Sequence, residues 1–130
     1  MTPKTIAATL ALALSATTYA APAAVARESR ASNGMGRGDG PCIAVATPTE
    51  RAIIRPESGG WPTADNPTST AYGCSQALLA IRRRYAPRCG SRDPGTVNVA
   101  VQMCIFRSYV RDRYGSMDAA LRFRRRHGWY

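Results

Sequence analysis

A chain of 130 residues has room for one domain, and 18 Lys and Arg against 8 Asp and Glu give it a formal charge of +10. Lys4 is the only lysine, so the charge of the rest is carried by arginine, with RRR at 82–84 and RFRRR at 122–126. In a cytosolic protein that balance would point to nucleic acid, but the first residues point to export, and anionic wall polymers or a membrane surface become the expected partners.

Residues 1–26 read as a cleavable signal peptide. Lys4 supplies a positive start, IAATLALALSA at 6–16 is apolar but too short to span a bilayer, and Ala24-Val25-Ala26 offers a small-residue cleavage site. Cleavage after Ala20 is an alternative. No later segment is long and apolar enough to span a membrane, so a secreted or periplasmic location is expected. Residues 27–40, RESRASNGMGRGDG, are polar and glycine-rich and read as a flexible leader. The Arg-Gly-Asp triplet at 37–39 is short enough to arise by chance in such a segment.

The folded domain is expected over 41–130. Thr47-Pro48-Thr49-Glu50 forms a capping box with proline at the first helical position, which predicts a helix over 48–58 with Ala52, Ile53 and Ile54 inward. Pro56 disturbs its last turn, and Gly59-Gly60 ends it. Residues 60–73 hold Trp61-Pro62, Asn66-Pro67 and Tyr72-Gly73, a loop or short hairpin. A second helix is predicted over 75–85, with Ala77, Leu78, Ile81 and Tyr85 on one stripe and Arg82–Arg84 largely outside it. Asp93-Pro94 resembles another helix start, leading to the most apolar helix, which ends near Tyr114. There Val99, Met103, Phe106 and Val110 form one stripe and Val97, Val101 and Cys104 lie nearly opposite, the pattern of a central helix. Gly115 closes it, Ser116 caps the next, and Gly128 stops that one. The fold class is thus mainly α, a small helical domain with an irregular loop or hairpin after its first helix.

Cys42, Cys74, Cys89 and Cys104 are even in number, and export favours two disulfides, of which the spacing leaves all three connectivities open. No C-x-x-C pair occurs and His127 is the one histidine, so neither a zinc site nor a Ser-His-Asp hydrolase is expected. Nucleotide-binding loops and clustered carboxylates are missing as well, and no cofactor is expected. Glu57 is left. It ends a helix after Ile53-Ile54, beside a loop with Trp61, Asn66, Tyr72 and Gln76. A carboxyl packed against such groups would have its ionised form disfavoured, as a general acid at neutral pH requires. A surface glutamate before a glycine cap is the plainer reading of the same residues.

Residues 57–76, ESGGWPTADNPTSTAYGCSQ, resemble without a gap the segment E-S-G-x-x-P-x-A-x-N-P-x-S-x-A-Y-G-x-x-Q of the lytic transglycosylase-like proteins of the lysozyme superfamily. The end of the chain, RSYVRDRYGSMDAALRFRRRHGWY, is similar to their closing segment, in which a Y-G turn leads to an A-A-L helix ending in G-W-Y. The resemblance implies a lysozyme-like helical fold and cleavage of the β-1,4 bond between N-acetylmuramic acid and N-acetylglucosamine in peptidoglycan. It implies that Glu57 protonates the glycosidic oxygen and then acts as base on the C6 hydroxyl, closing a 1,6-anhydro ring without a second carboxylate. Ordinary glycosidases use two. Ser58, Asn66, Tyr72 and Gln76 are the implied substrate contacts, Arg124 is a further candidate contact outside the family pattern, peptidoglycan strands are the partner, and a monomer is the expected state.

Three positions depart from the family pattern. Pro56 precedes the acid where a helix-compatible residue is common, and Cys74 replaces an aliphatic residue. Arg124 and Arg125 stand where relatives often carry a tryptophan or tyrosine followed by asparagine. Either activity is reduced, or an arginine here meets the lactyl or peptide carboxylates of the substrate. A catalytically impaired peptidoglycan-binding protein on the same fold, a hydrolytic lysozyme and a basic protein acting on anionic membranes are the alternatives.

Overall fold

In the computed structural model of the protein, residues 38–130 are described. The expected signal peptide and most of the leader lie outside them, as does Arg37 of the Arg-Gly-Asp triplet. Along the described chain come α1 (Pro41–Ala44), α2 (Pro48–Ser58), α3 (Leu79–Tyr85), a 3-10 turn (Ala86–Cys89), α4 (Val99–Tyr114) and α5 (Met117–His127). No extended strand occurs among these residues, and the loop after α2 is pinned instead by isolated bridges of Tyr72 with Asp65 and with Ala77. The fold is mainly helical, as expected.

Helix α2 starts where its capping box dictates. Thr47 Oγ1 accepts from the Glu50 N–H at 3.3 Å and Glu50 Oε2 accepts from the Thr47 N–H at 2.8 Å. The helix runs through Pro56 because both Pro56 and Ala52, whose carbonyl loses its usual donor, lie on the exposed face. Gly59, left-handed at φ 64°, closes it. Ala52 does not face inward. The buried side is the stripe of Glu50, Ile53, Ile54 and Ser58, with Glu57 half-buried beside them, a helical spacing of three and four that passes Ala52 by. Two members of the stripe and the adjoining Glu57 are polar, and each needs a partner.

Glu50 finds Arg107 of α4. Glu50 is only 4% exposed, and Arg107 reaches both its carboxylate oxygens, Nε to Oε1 at 2.7 Å and Nη2 to Oε2 at 3.0 Å. Burial pushes the Glu50 carboxyl up, but Arg107 and the Thr47 donors together outweigh it and hold the group below the ordinary glutamate value. Stability from this lowered value is present above the unfolded-state value and is lost as pH falls through the folded one. Glu50→Ala is therefore expected to cost about 2–4 kcal/mol at neutral pH in chemical denaturation, and less in acid. An equal loss at both pH values would exclude the ion pair as its source.

Asp39 is bound to Arg55 through both carboxylate oxygens, at 2.9 and 2.7 Å, and Gly40 is buried. The fold thus takes in these two residues before the expected boundary at 41. A Cβ on Gly40 would come within 2.4 Å of the Gly60 backbone, so the two glycines let the chain before α1 lie against the end of α2.

Helix α3 begins at Leu79, later than predicted, because residues 75–78 are held in the turn system of the loop. Leu78 precedes the helix and is exposed rather than in the stripe. Arg82 behaves unlike its neighbours in the RRR run. It is half-buried, donates to the carbonyls of Ala77, Thr70 and Pro94, and lies 5.2 Å from the centre of the Tyr72 ring. The loop is thus clamped to both ends of its surroundings by one guanidinium.

Helix α4 starts at Val99, not at Pro94. Asn98 caps it by accepting the Val101 N–H at 3.1 Å, while Asp93 accepts the Gly95 N–H at 2.7 Å in a local turn. Gly95 is a poor helix former, and the asparagine three residues later offers a better start. Val97 is consequently outside the helix and exposed. As expected of a central helix, α4 is covered on both sides. Met103, Phe106 and Val110 join Ile53, Ile54 and Ala120 in the main core, while Ile105 packs with Tyr85 and Ala86 in a second cluster. Helix α5 is capped by Ser116 and closed by Gly128, and lies against both α2 and α4.

Both disulfides form, and consecutive cysteines pair: Cys42 with Cys74 and Cys89 with Cys104. They enclose separations of 32 and 15 residues. On a chain-entropy basis each adds about 3–4 kcal/mol.

Candidate functional site

Glu57 sits in the last turn of α2, one helical repeat of seven beyond Glu50, and so faces the core side toward α5. Its side chain is 17% exposed and that of Arg124, in α5, 20%. Arg124 Nε donates to Oε1 at 3.0 Å, and Nη2 lies 3.0 Å from the same oxygen. Oε2 has no partner among the described residues. Tyr114 Oη is the only side-chain polar atom among them that is both sealed from solvent and unpaired, so Oε2 reaches solvent. One carboxylate oxygen is held and the other is open.

Burial pushes the Glu57 carboxyl above the ordinary glutamate value, and the charge and hydrogen bond of Arg124 pull it back only in part. The carbonyl end of α2 adds in the same direction as burial, because negative charge is disfavoured at a helix C-terminus. Tyr130 completes the surroundings. Its hydroxyl donates to the Ser75 carbonyl, and burial together with the nearby Glu57 charge holds the phenol protonated, well above its ordinary value. Its ring packs edge-on to Phe106 at 5.8 Å.

The other residues marked in the sequence take different positions. Ser58 is buried, donates to the Cys74 carbonyl and accepts from the Gly60 N–H at 3.0 Å, so its hydroxyl is occupied within the fold. Asn66 Oδ1 accepts from the Thr68 N–H and hydroxyl, both at 3.0 Å, which shapes the loop. Gln76 Nε2 donates to the carbonyls of Ala64 at 2.9 Å and Gly73 at 3.2 Å, from a backbone at φ 52°. Tyr72 is half-buried under Arg82. Of the five expected substrate contacts, Arg124 alone is brought into bonding contact with Glu57.

Two residues that sequence reasoning passed over support this site. Gln102 is buried on α4, with Oε1 accepting from the Cys74 N–H at 2.7 Å and Nε2 donating to Pro62 and Thr96 at 2.8 and 2.7 Å. Tyr130 is the other. Together with Ser58 they hold the backbone of Cys74-Ser75 from three directions: from α2, from α4 and from the residues after α5. A signal for Gln102 was present, since it is the one strongly polar residue on the face Val99, Gln102, Met103, Phe106 of the most apolar helix.

No family model and no solved structure matches the chain. Among curated proteins it is similar to the probable transglycosylase IsaA of Staphylococcus haemolyticus, 39% identical over 79 residues that cover 61% of this chain. The match spans 27% of that relative, about a quarter of its length. The lytic transglycosylase-like resemblance seen in the sequence is thus shared with a curated relative that bears the transglycosylase name.

Proposed function

We propose that this protein is an exported peptidoglycan lytic transglycosylase with Glu57 as its single acid and base. The observation that carries the reading is the divided carboxyl group: Oε1 is fixed by Arg124 while Oε2, in a setting that favours its proton, is open to solvent. Oε2–H donates to the glycosidic oxygen as the bond to C1 breaks. The resulting carboxylate then accepts the proton of the muramic acid C6 hydroxyl, whose oxygen bonds to C1 and closes the 1,6-anhydro ring. The proton given in the first step is recovered in the second, and the nucleophile belongs to the substrate. Among the described residues, no other carboxylate shares an ion pair or hydrogen bond with Glu57, Arg124 or Tyr130, which suits a mechanism with one carboxyl and not the two of ordinary glycosidases.

The same ion pair favours a second reading. An arginine against Oε1 also stabilises the ionised form, and a glutamate left ionised in the presence of glycan would make the protein a peptidoglycan-binding protein. Digestion of purified sacculi separates the two. Soluble 1,6-anhydromuropeptides, identified by mass spectrometry, are the expected product. Reducing ends would identify a hydrolytic lysozyme, and bound but intact sacculi a binding protein.

A further inference from the structure

Arg124 makes fewer bonds than Arg107, Arg55 or Arg82. Arg107 reaches both oxygens of Glu50, Arg55 both oxygens of Asp39, and Arg82 three backbone carbonyls. Arg124 has one hydrogen bond, to one oxygen, although its side chain is mostly buried. A guanidinium carries five N–H donors and pairs best with a carboxylate through two parallel bonds. This one leaves Nη1 without an acceptor among the described residues. A mostly buried cation with spare donors beside a solvent-reaching oxygen is a receptor for a second anion.

We propose that Arg124 is an exchangeable partner of Glu57: a carboxylate carried by the glycan draws the guanidinium onto itself, and the Glu57 carboxylate so released takes up one proton. This rests on the reading of Glu57 as the acid and of a carboxylate-bearing sugar as the ligand. The charges balance. Before binding, Arg124 and Glu57 are a neutral pair and the ligand carries one negative charge. Afterwards Arg124, cationic throughout, is paired with the ligand, and Glu57 has gained a proton from solvent and is neutral. The acid is therefore loaded by the arrival of the anionic sugar, and a neutral sugar of the same ring leaves it ionised. Arg124 acts through Glu57 and is a positioning and specificity residue.

The groups facing Glu57 are few enough to assign the effect. Helix α5 presents Arg124, the residues after α5 present Tyr130, and α4 presents Tyr109 behind Tyr130. Helix α1 holds no titratable side chain but Cys42, which is in a disulfide. Tyr130 is held protonated, well above its ordinary value, so Glu57 is the group that changes. Affinity for the anionic sugar then rises as pH falls through the interval between the free and ligand-bound titration midpoints of Glu57.

The experiment follows the carbon-13 carboxyl resonance of Glu57 in the full chain through a pH titration. It is run free, with N-acetylmuramic acid, and with N-acetylglucosamine as the neutral ring. N-acetylmuramic acid is expected to move the midpoint upward, and N-acetylglucosamine to leave it unchanged. In Arg124→Gln the free midpoint is expected to start higher and no longer to respond, while Arg124→Lys retains a partial response. No response of the wild type up to the solubility limit of N-acetylmuramic acid, or the same response in Arg124→Gln, would overturn the exchange. The second readout is release of anhydromuropeptides from sacculi, expected to fall about tenfold or more in Arg124→Gln and less in Arg124→Lys. If wild type releases none, the proposed enzyme reading falls, while the titration still decides whether Arg124 changes partner.

Discussion

Glu57→Gln is expected to lower release of 1,6-anhydromuropeptides from sacculi by at least about 100-fold, the loss typical of removing a general acid and base. The amide keeps the shape of the side chain and keeps an oxygen for Arg124, so binding and fold are retained. What it cannot do is give up and recover a proton at the position of Oε2. Stability is expected to move in the opposite direction. The Glu57 value is raised on folding, so its contribution is fully present below the unfolded-state value and is lost as pH rises through the folded one. Glutamine escapes that loss. The variant should therefore match the wild type in acid and equal or exceed it at pH 7, with any change held to about 1 kcal/mol in urea denaturation. Retained turnover would remove Glu57 from the chemistry, and a collapse in stability would make it a structural residue.

Gln102→Leu is expected to destabilise the domain by about 3–6 kcal/mol, a large part of the 5–15 kcal/mol that holds a domain of this size. Leucine is close in volume, so the loss comes from three backbone groups left without partners, the buried Cys74 N–H and the part-buried carbonyls of Pro62 and Thr96. Gly73→Ala approaches the same point from the other side, because its Cβ would fall 2.3 Å from Gln102 Oε1 on a backbone at φ 80°. Both variants are expected to unfold at lower denaturant and to lose the fixed position of Glu57, whose neighbour Ser58 and near partner Tyr130 are bound to the backbone of Cys74 and Ser75. A Gln102→Leu midpoint within about 1 kcal/mol of wild type would show that these groups find other partners.

Local rules made most of the fold readable. The capping box at Thr47, the glycine after Ser58, the serine cap before α5 and the two-sided apolar pattern of α4 each act within one or two turns, and each appears where the residues placed it. Two starts competed at the head of α4, and Asn98 outranked Pro94 once the intervening Gly95 and Thr96 were used in a turn. Ala52 illustrates a different limit. The stripe of α2 is completed by Glu50 and Ser58, polar residues that a search for apolar periodicity discards, although their partners lie 57 and 16 residues away. The candidate site was legible as Glu57 and Arg124 separately, but their bond was not, since it crosses 67 residues. Arg82 was hidden for the same reason: inside a run of three arginines nothing local distinguishes the one that turns inward.

Because each cysteine pairs with the next along the chain, the two covalent loops are consecutive, with neither nested in nor crossing the other. For a polypeptide delivered N-terminus first into an oxidising compartment, order of emergence alone selects the native partners. Cys74 meets Cys42 before any competitor has appeared, and Cys104 then finds only Cys89 unpaired. Glu57 lies inside the first loop, so in a chain exported in that order the segment bearing the acid can close into a covalent ring without the helix that brings Arg124.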